Sequence, residues 1–226
     1  TAIRRRSTVS RRERAGREIR QAAGSLPVDL SHLTLRRSAG THVRMSSQPE
    51  LKAVIFDLDG VLVDTGVLHA AAWANLVRGL GHEPPADLEE KVKGIPRMAS
   101  LRIALGEHVS EYTEPQLEEY AANKNAEYQK EVEKLTPDAM FEGVTELFDD
   151  LQSRGIRIAL GSASRNARPV LEKLGLLDRF DVIVDGHKFA HGKPHPDVFL
   201  TGAAELGLEP HECIVVEDAA AGITAA

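Results

Sequence analysis

The carboxylates of Asp57 and Asp59 are the side chains of this sequence best placed for chemistry. They follow the apolar run Ala-Val-Ile-Phe at positions 53–56 and precede Gly60. Alternate side chains of a strand point to the same face, so both carboxylates would leave the strand together at the edge where open α/β sheets bind ligands. Because adjacent anions repel unless a cation neutralises them, and because Mg²⁺ binds carboxylates together with phosphate oxygens, the pair indicates metal-assisted phosphoryl chemistry. A plain turn is the alternative interpretation, since Asp and Gly favour turns.

Short apolar runs typical of buried strands alternate with helical patterns along the chain. The predicted strands are residues 52–56, 157–160, 181–184 and 212–216, and helices are predicted over residues 67–80 and 144–154. Gly81 and Gly155 follow the two helices as stop signals. Strands separated by helices predict an α/β fold with a doubly wound parallel sheet.

The segment from residue 66 to residue 137 breaks this alternation. It contains about three helical patterns and no convincing strand, and it includes a highly charged run over residues 114–134. Because it follows the first strand directly, we expect it to lie over the carboxyl edge of the sheet. We interpret residues 66–137 as a helical cap and residues 45–65 with 138–226 as the core, which we expect to be incomplete at its C-terminal end.

The first 44 residues differ in charge from the rest of the chain. They hold 11 arginines, no lysine and three acidic residues, a net charge of +8, so the remainder carries −14 of the overall −6. The basic arm could bind RNA, act as an organellar transit segment or lie upstream of the true start. We interpret residues 1–44 as a dispensable extension, disordered or non-native, with a short helix conceivable over residues 11–23.

The acidic body argues against nucleic acid as the main partner. No apolar run approaches the ~20 residues that cross a bilayer, so we expect no membrane association. The only cysteine, Cys213, lies in an apolar run, which predicts a buried, inert thiol and no disulfide. These features predict a soluble cytoplasmic protein, which we expect to be monomeric.

Three further signals follow Asp57 and Asp59 in chain order, at or near predicted strand ends: Ser162, Lys193, and the pair Glu217-Asp218. Each has an ordinary alternative. Ser162 could cap a helix starting near residue 168, Lys193 could be a solvated loop lysine, and the acidic pair could cap the helix after it.

In this order the four signals resemble the haloacid dehalogenase superfamily of phosphotransferases over residues 51–226. The resemblance implies that Asp57 is the nucleophile and Asp59 the general acid/base. It also implies that Ser162 and Lys193 bind the transferring phosphoryl group. It implies Mg²⁺ as cofactor, bound by Asp57, the backbone carbonyl of Asp59, and Asp218, with Glu217 close by.

Residues of the predicted cap and of the loop after the second strand resemble the β-phosphoglucomutases within that superfamily. The resemblance implies substrate-binding roles for Thr65, His69, Trp73, Gly94, Arg97, Ser100, Lys124, Ser162, Ala163, Ser164, Arg165 and Asn166. It implies interconversion of β-glucose 1-phosphate and glucose 6-phosphate through an aspartyl-phosphate and a bisphosphate. A sugar-phosphate phosphatase of the same fold, and a non-catalytic domain of a larger sugar-metabolising fusion protein, stay open as alternatives.

Two local features bear on specificity and on metal binding. Pro96 alters the loop around Arg97, and Arg165 lies where this family often has Lys, which keeps the charge but changes its geometry. The histidines at positions 187, 191 and 195 suggest a metal site, but intervening Gly and Pro residues exclude the helix that this spacing requires. We therefore expect no metal there.

Overall fold

The computed structural model describes residues 51–226, and a four-stranded parallel sheet forms its centre. The strands are β1 (Ala53–Phe56), β2 (Arg157–Gly161), β3 (Val182–Val184) and β4 (Cys213–Val216), in the spatial order β3-β2-β1-β4. The predicted α/β fold with a parallel sheet is confirmed. Three strands begin one residue later than predicted and β2 ends one residue later, a difference normal at element ends.

The register brings the ends of three strands level with one another. Phe56, the last residue of β1, pairs with Leu160 on one side and with Val216 on the other. The strand order reverses direction at β1, which makes the gap between β1 and β4 the topological switch point of the sheet. The residues directly after these strands therefore converge at the edge where such sheets bind ligands.

Eight α-helices surround or cover the sheet in the described part of the chain. They are α1 (Gly66–Gly79), α2 (Leu88–Val92), α3 (Arg97–Leu105), α4 (Glu114–Val132), α5 (Val144–Ser153), α6 (Ala167–Leu174), α7 (Asp197–Leu206) and α8 (Ala220–Ala225). Phe148 of α5 and Leu171 of α6 pack on one face of the sheet, and Phe199 of α7 packs on the other. Both faces are thus covered by apolar side chains, as a parallel sheet requires.

The inserted segment contains four α-helices and a 3₁₀ helix (Gly106–Glu111), rather than about three helices. It has a hydrophobic cluster of its own that includes Trp73, Leu101 and Leu117. The end of α4 leaves that cluster, since Tyr128 and Val132 pack with the sheet residues. The proposed division of the chain at residues 66 and 137 therefore stays a prediction, and below the word cap denotes residues 66–137 and the word core the other described residues.

The environment of Cys213 differs from the prediction. Cys213 is half-exposed rather than buried, because it begins the edge strand β4, although its partial burial still raises the pKa of its thiol. Among residues 51–226, no helix combines the length and the apolar character needed to cross a membrane. The interpretation of residues 1–44, including the helix over residues 11–23, lies outside the described residues.

Candidate active site

A buried ion-pair triad forms the base of the site. Lys193 Nζ donates to Asp57 Oδ1 and to Glu217 Oε2, each at 2.6 Å, and all three side chains are nearly inaccessible to water. Burial alone would lower the pKa of Lys193, but the two carboxylates together raise it. The lysine therefore stays charged. Its position excludes the alternative of a solvated loop lysine.

The carboxylates of Asp57, Glu217 and Asp218 form a candidate metal centre. Their oxygens lie within 4.8 Å of one another, and oxygen donors of this kind suit Mg²⁺. Gly60 permits this approach, because a Cβ there would lie 2.1 Å from Asp218 Oδ2 and because its φ is 91°. The chemistry and spacing of the donor set fit a hard divalent cation.

Asp59 has the electrostatic character of a general acid/base. Its burial, and then the neighbouring charge of Asp57, raise the pKa of Asp59 to about 7. The Thr65 hydroxyl donates a hydrogen bond to Asp59 Oδ1, and this bond lowers the pKa of Asp59 in part. An acid with a pKa near 7 can both donate and accept a proton at neutral pH.

A polar pair on the cap stands beside Asp59. Lys124 Nζ donates to His69 Nδ1 at 2.7 Å, and the His69 ring stacks on Tyr128 with 3.8 Å between ring centroids. Burial and the nearby cation of Arg97 lower the pKa of Lys124 to about 7, while burial and the charge of Lys124 lower the pKa of His69 well below its usual value. His69 is thus a neutral acceptor held by Lys124, and Lys124 also lies over the Trp73 ring at 4.5 Å.

A cleft of about 550 Å³ separates the cap from the core, a size typical of small-molecule sites. Arg97 from the cap and Arg165 from the core both line it. The pKa of Arg97 is lowered by burial and, to a smaller extent, by the charge of Arg165. Asn125 Oδ1 accepts from Arg97 Nη2 and from Asn166 Nδ2, both at 2.8 Å. Two cations and two amides in one cleft are suited to an anion such as phosphate.

Ser162 directly follows β2, at the same edge of the sheet as Asp57. Ser162 is fully buried, and its Oγ accepts a hydrogen bond from the backbone N–H of Ser164 at 3.1 Å. It does not cap the next helix, since α6 begins at Ala167 and follows Asn166. The accepted bond leaves the hydroxyl hydrogen of Ser162 available to a ligand.

Glu217 also bonds the backbone that leads from β4 into α8. Glu217 Oε1 accepts from the backbone N–H of Ala219 at 2.9 Å, while Oε2 pairs with Lys193. Burial raises the pKa of Glu217 and that of Asp218. Neither acidic residue caps the helix, since Ala219 is the N-cap of α8 and the backbone bonds of Glu217 come from Asp218 and Ala219, before the first helical residue.

The cap loop over residues 93–96 contacts the core directly. Lys93 forms an ion pair with Asp218, and Pro96 packs so tightly on Gly192 that a Cβ at Gly192 would lie 2.3 Å from Pro96 Cγ. Lys193 follows Gly192 in the chain, so the cap loop touches the segment that supplies the buried lysine. The cap is closed over the core in this arrangement.

The structure divides the sequence-predicted residues into two groups. Asp57, Thr65, Ser162, Lys193 and the side chain of Glu217 are buried beneath the cleft, whereas Asp218 is more exposed. The cleft is lined by Asp59, His69, Trp73, Gly94, Arg97, Ser100, Lys124, Ala163, Ser164, Arg165 and Asn166. Ser100 donates its hydroxyl to the Ile95 carbonyl at 3.0 Å, so its visible role is to shape the cap loop.

Three further contacts of the site were not predicted from the sequence. Lys93 pairs with Asp218, Tyr128 supports His69, and Gln129 Nε2 donates to Asn166 Oδ1 at 3.3 Å. Tyr128 lies four positions after Lys124 on one helix, a spacing that places both side chains on the same face. That spacing was a signal for Tyr128, whereas the other two contacts join distant parts of the chain.

The histidine triplet behaves differently from the sequence argument. A loop, not a helix, brings His191 and His195 together with 4.7 Å between ring centroids, and both Nδ1 atoms lie within 2.9 Å of Asp197 carboxylate oxygens. His187 takes no part in this cluster. The absence of a helix therefore does not keep His191 and His195 apart, because the chain between them forms a turn in which the His195 N–H donates to the Gly192 carbonyl.

Known proteins resemble this chain over most of its length. Residues 51–226 match the family model described as haloacid dehalogenase-like hydrolase. A β-phosphoglucomutase of Bacillus subtilis is 42% identical over 177 residues, which cover 77% of this chain and 78% of that protein. A phosphorylated carbohydrates phosphatase of Thermotoga maritima is 30% identical over 178 residues, covering 78% and 80%. A crystal structure of β-phosphoglucomutase from Clostridium difficile matches with a TM-score of 0.75 and 40% identity over 77% of this chain and 79% of that chain.

Proposed function

Because the chain belongs to the haloacid dehalogenase-like hydrolase family, we propose that it is a Mg²⁺-dependent β-phosphoglucomutase. It would interconvert β-D-glucose 1-phosphate and glucose 6-phosphate through an aspartyl-phosphate and a sugar bisphosphate. Family membership and 42% identity to a β-phosphoglucomutase make the chain an enzyme, a phosphotransferase/isomerase or a phosphatase. The proposal is that, of these activities, the chain is a mutase.

The observation that carries the proposal is the pair of arginines that face one cleft from opposite sides. Arg97 belongs to the cap and Arg165 to the core, and burial together with the charge of Arg165 lowers the pKa of Arg97. The two positive charges repel each other, so a phosphate bound between them would stabilise the closed cap. A second phosphate-binding position, distinct from the buried Asp57, is what a bisphosphate intermediate requires.

The buried triad supports the nucleophilic step. Asp57 attacks phosphorus and forms an aspartyl-phosphate, which divides one transfer into two. Lys193, held charged between Asp57 and Glu217, stabilises the negative charge on the transferring group, and the Ser162 hydroxyl donates to one of its oxygens. Electrostatic stabilisation by fixed donors supplies most of the barrier reduction in such reactions.

Asp59 supplies the proton transfers. It protonates the leaving sugar oxygen in one half-reaction and deprotonates the attacking hydroxyl in the other, which its pKa of about 7 permits. Thr65 orients the carboxyl group through its hydrogen bond. The neighbouring His69 and Lys124 belong to the cap, so cap closure and the environment of Asp59 are linked.

Magnesium has a set of donors at the edge of the sheet. Asp57, the backbone carbonyl of Asp59, and Asp218 would hold it, with Glu217 close by. When bound, the cation neutralises charge on the phosphoryl oxygens.

A sugar-phosphate phosphatase is the second candidate, favoured by the 30% identity to the Thermotoga maritima phosphatase. The two activities differ in what reacts with the aspartyl-phosphate, a sugar hydroxyl or water. The closed cap, with Pro96 packed on Gly192 and with Asp57 only 4% exposed, favours exclusion of water and hence the mutase.

Replacing Arg97 with Ala tests the proposed phosphate contact on the cap. The change removes a charge-assisted contact of about 1.5–3 kcal/mol, which corresponds to a loss of roughly 10- to 100-fold in mutase flux. Hydrolysis of the aspartyl-phosphate should fall far less or rise, because an open cap admits water. The measurement is the ratio of glucose 6-phosphate to inorganic phosphate formed from β-glucose 1-phosphate.

Arg102 provides the matched control for this variant. It lies on the same helix as Arg97 but is exposed and paired with Glu114 at 2.7 Å. Arg102→Ala should leave the product ratio at the wild-type value. An unchanged ratio in Arg97→Ala as well would make Arg97 an ordinary surface charge and favour the phosphatase.

Replacing Gly192 with Ala tests the closed cap without touching a charge. The new Cβ would overlap the Pro96 ring at 2.3 Å, so the cap loop could not seat on the core. We expect lower mutase flux and a larger share of inorganic phosphate among the products. Gly79→Ala is the control, because a Cβ at this position of the cap meets nothing within 4 Å. Equal product ratios in the two variants would contradict closure through this contact.

A further inference from the structure

Three metal-binding side chains meet on the cap, away from the cleft. His82 lies just after α1, and His108 and Glu111 belong to the 3₁₀ helix. One ligand atom from each lies within 4.8 Å of the others. None of the three lines the cleft between cap and core, so the proposed phosphoryl chemistry does not account for them.

The distances within this cluster are close to those of a coordination sphere. His108 Nδ1 lies 2.6 Å from Glu111 Oε1, and His82 Nε2 lies 3.6 Å from Glu111 Oε2. In a tetrahedral zinc site with bonds of 2.0–2.1 Å, neighbouring ligand atoms are about 3.3 Å apart. Binding of one ion by all three atoms requires the two imidazoles to tilt out of their present stack, because an ion lies in the plane of each ring that binds it.

Aromatic contacts bring the two imidazoles close together. The rings of His82 and His108 stack with 3.9 Å between centroids, and Tyr112 Oη lies 2.7 Å from His82 Nε2. The side chain of His82 is 14% exposed, whereas that of Glu111 is 52% exposed. The cluster thus has a packed inner ligand and an outer carboxylate that water and ions can reach.

We propose that His82, His108 and Glu111 bind a divalent transition-metal ion such as Zn²⁺. Imidazole nitrogen suits Zn²⁺ and its neighbours in the periodic table, whereas Mg²⁺ prefers oxygen donors. The bound ion takes the place of the Tyr112 hydrogen bond at His82 Nε2, and water completes its coordination. Because His82 follows α1 and the other two ligands lie on the 3₁₀ helix, the ion fastens these two parts of the cap together.

The test measures Zn²⁺ binding to the full chain by equilibrium dialysis, together with melting temperature at increasing Zn²⁺. The variants are His108→Ala, which leaves the packed His82 in place, and the double variant His82→Ala/His108→Ala. The control is His211→Ala, which removes an exposed histidine that belongs to none of the candidate metal-binding groups of the described chain. Zn²⁺ bound at the carboxylates of the core is common to all four proteins and does not affect the comparison.

The proposal expects the double variant to bind one Zn²⁺ fewer than the wild type. His108→Ala should weaken that equivalent by at least about tenfold, since even residues that only support a metal ligand affect affinity by 10- to 100-fold. Zn²⁺ should raise the melting temperature of the wild type and of the control more than that of the double variant, because an ion that binds only the folded state stabilises it. Equal stoichiometry and affinity in the wild type and the double variant would overturn the proposal.

Discussion

Replacing Asp57 with Asn is expected to abolish turnover and to leave no aspartyl-phosphate. The amide cannot attack phosphorus as a carboxylate does. Asp57 is the residue directly after β1, and no other described carboxylate occupies that position. The fold should persist, because Lys193 keeps its 2.6 Å contact with Glu217. Steady-state assay, and mass spectrometry of the acid-quenched protein for a phosphorylated residue, measure the two effects.

The control for this variant is Asp138→Asn, which alters an exposed carboxylate in the 3₁₀ helix Pro137–Ala139. It should retain full activity and the same phosphorylated peptide as the wild type. Circular dichroism of both variants separates loss of chemistry from loss of folding. Wild-type turnover in folded Asp57→Asn would end the covalent mechanism.

Replacing Asp59 with Asn is expected to lower turnover by roughly 10²- to 10⁴-fold, the usual contribution of a positioned general acid/base. Asn can still accept the hydrogen bond from Thr65, and its backbone carbonyl is unchanged, so the geometry of the loop should survive. Unlike Asp57→Asn, this variant should still form an aspartyl-phosphate from an activated phosphoryl donor whose leaving group needs no proton. A loss below about threefold would exclude the acid/base role.

The pH dependence gives a second readout for Asp59. Its pKa of about 7 means that the protonated acid is present below neutral pH and is lost as pH rises above it. The half-reaction in which Asp59 protonates the leaving oxygen should therefore slow above pH 7 in the wild type. The same limb of the profile should be absent from Asp59→Asn, which has no proton to lose.

The sheet and the grouping of the candidate site residues at its edge could be predicted because the relevant signals are local. The apolar run before Asp57 and the similar runs before Ser162 and Glu217 predict strands, and parallel strands bring their carboxyl ends to one edge. The register, with Phe56 between Leu160 and Val216, has this arrangement. The spatial order of the strands, with β1 between β2 and β4, could not be predicted from any single apolar run.

The cap could be predicted only in outline, because its contacts join residues that are distant in sequence. The short helix Leu88–Val92 is too brief to show a periodic pattern, and it was not predicted. Lys93 lies 125 positions from its partner Asp218, and His82 lies in a loop until folding brings it beside His108. The pKa of Asp59 likewise depends on burial and on charges such as Lys193 and Asp218, which lie far from it in the sequence.

The measurement that tests the central claim most directly follows β-D-glucose 1-phosphate with the wild-type protein, Mg²⁺ and a trace of glucose 1,6-bisphosphate. Glucose 6-phosphate and inorganic phosphate are determined in the same reaction. A mutase returns the phosphoryl group to the sugar, so the account predicts glucose 6-phosphate in large excess, with a rate that depends on the bisphosphate. Inorganic phosphate released in step with substrate consumption, without glucose 6-phosphate and without need of the bisphosphate, would contradict it.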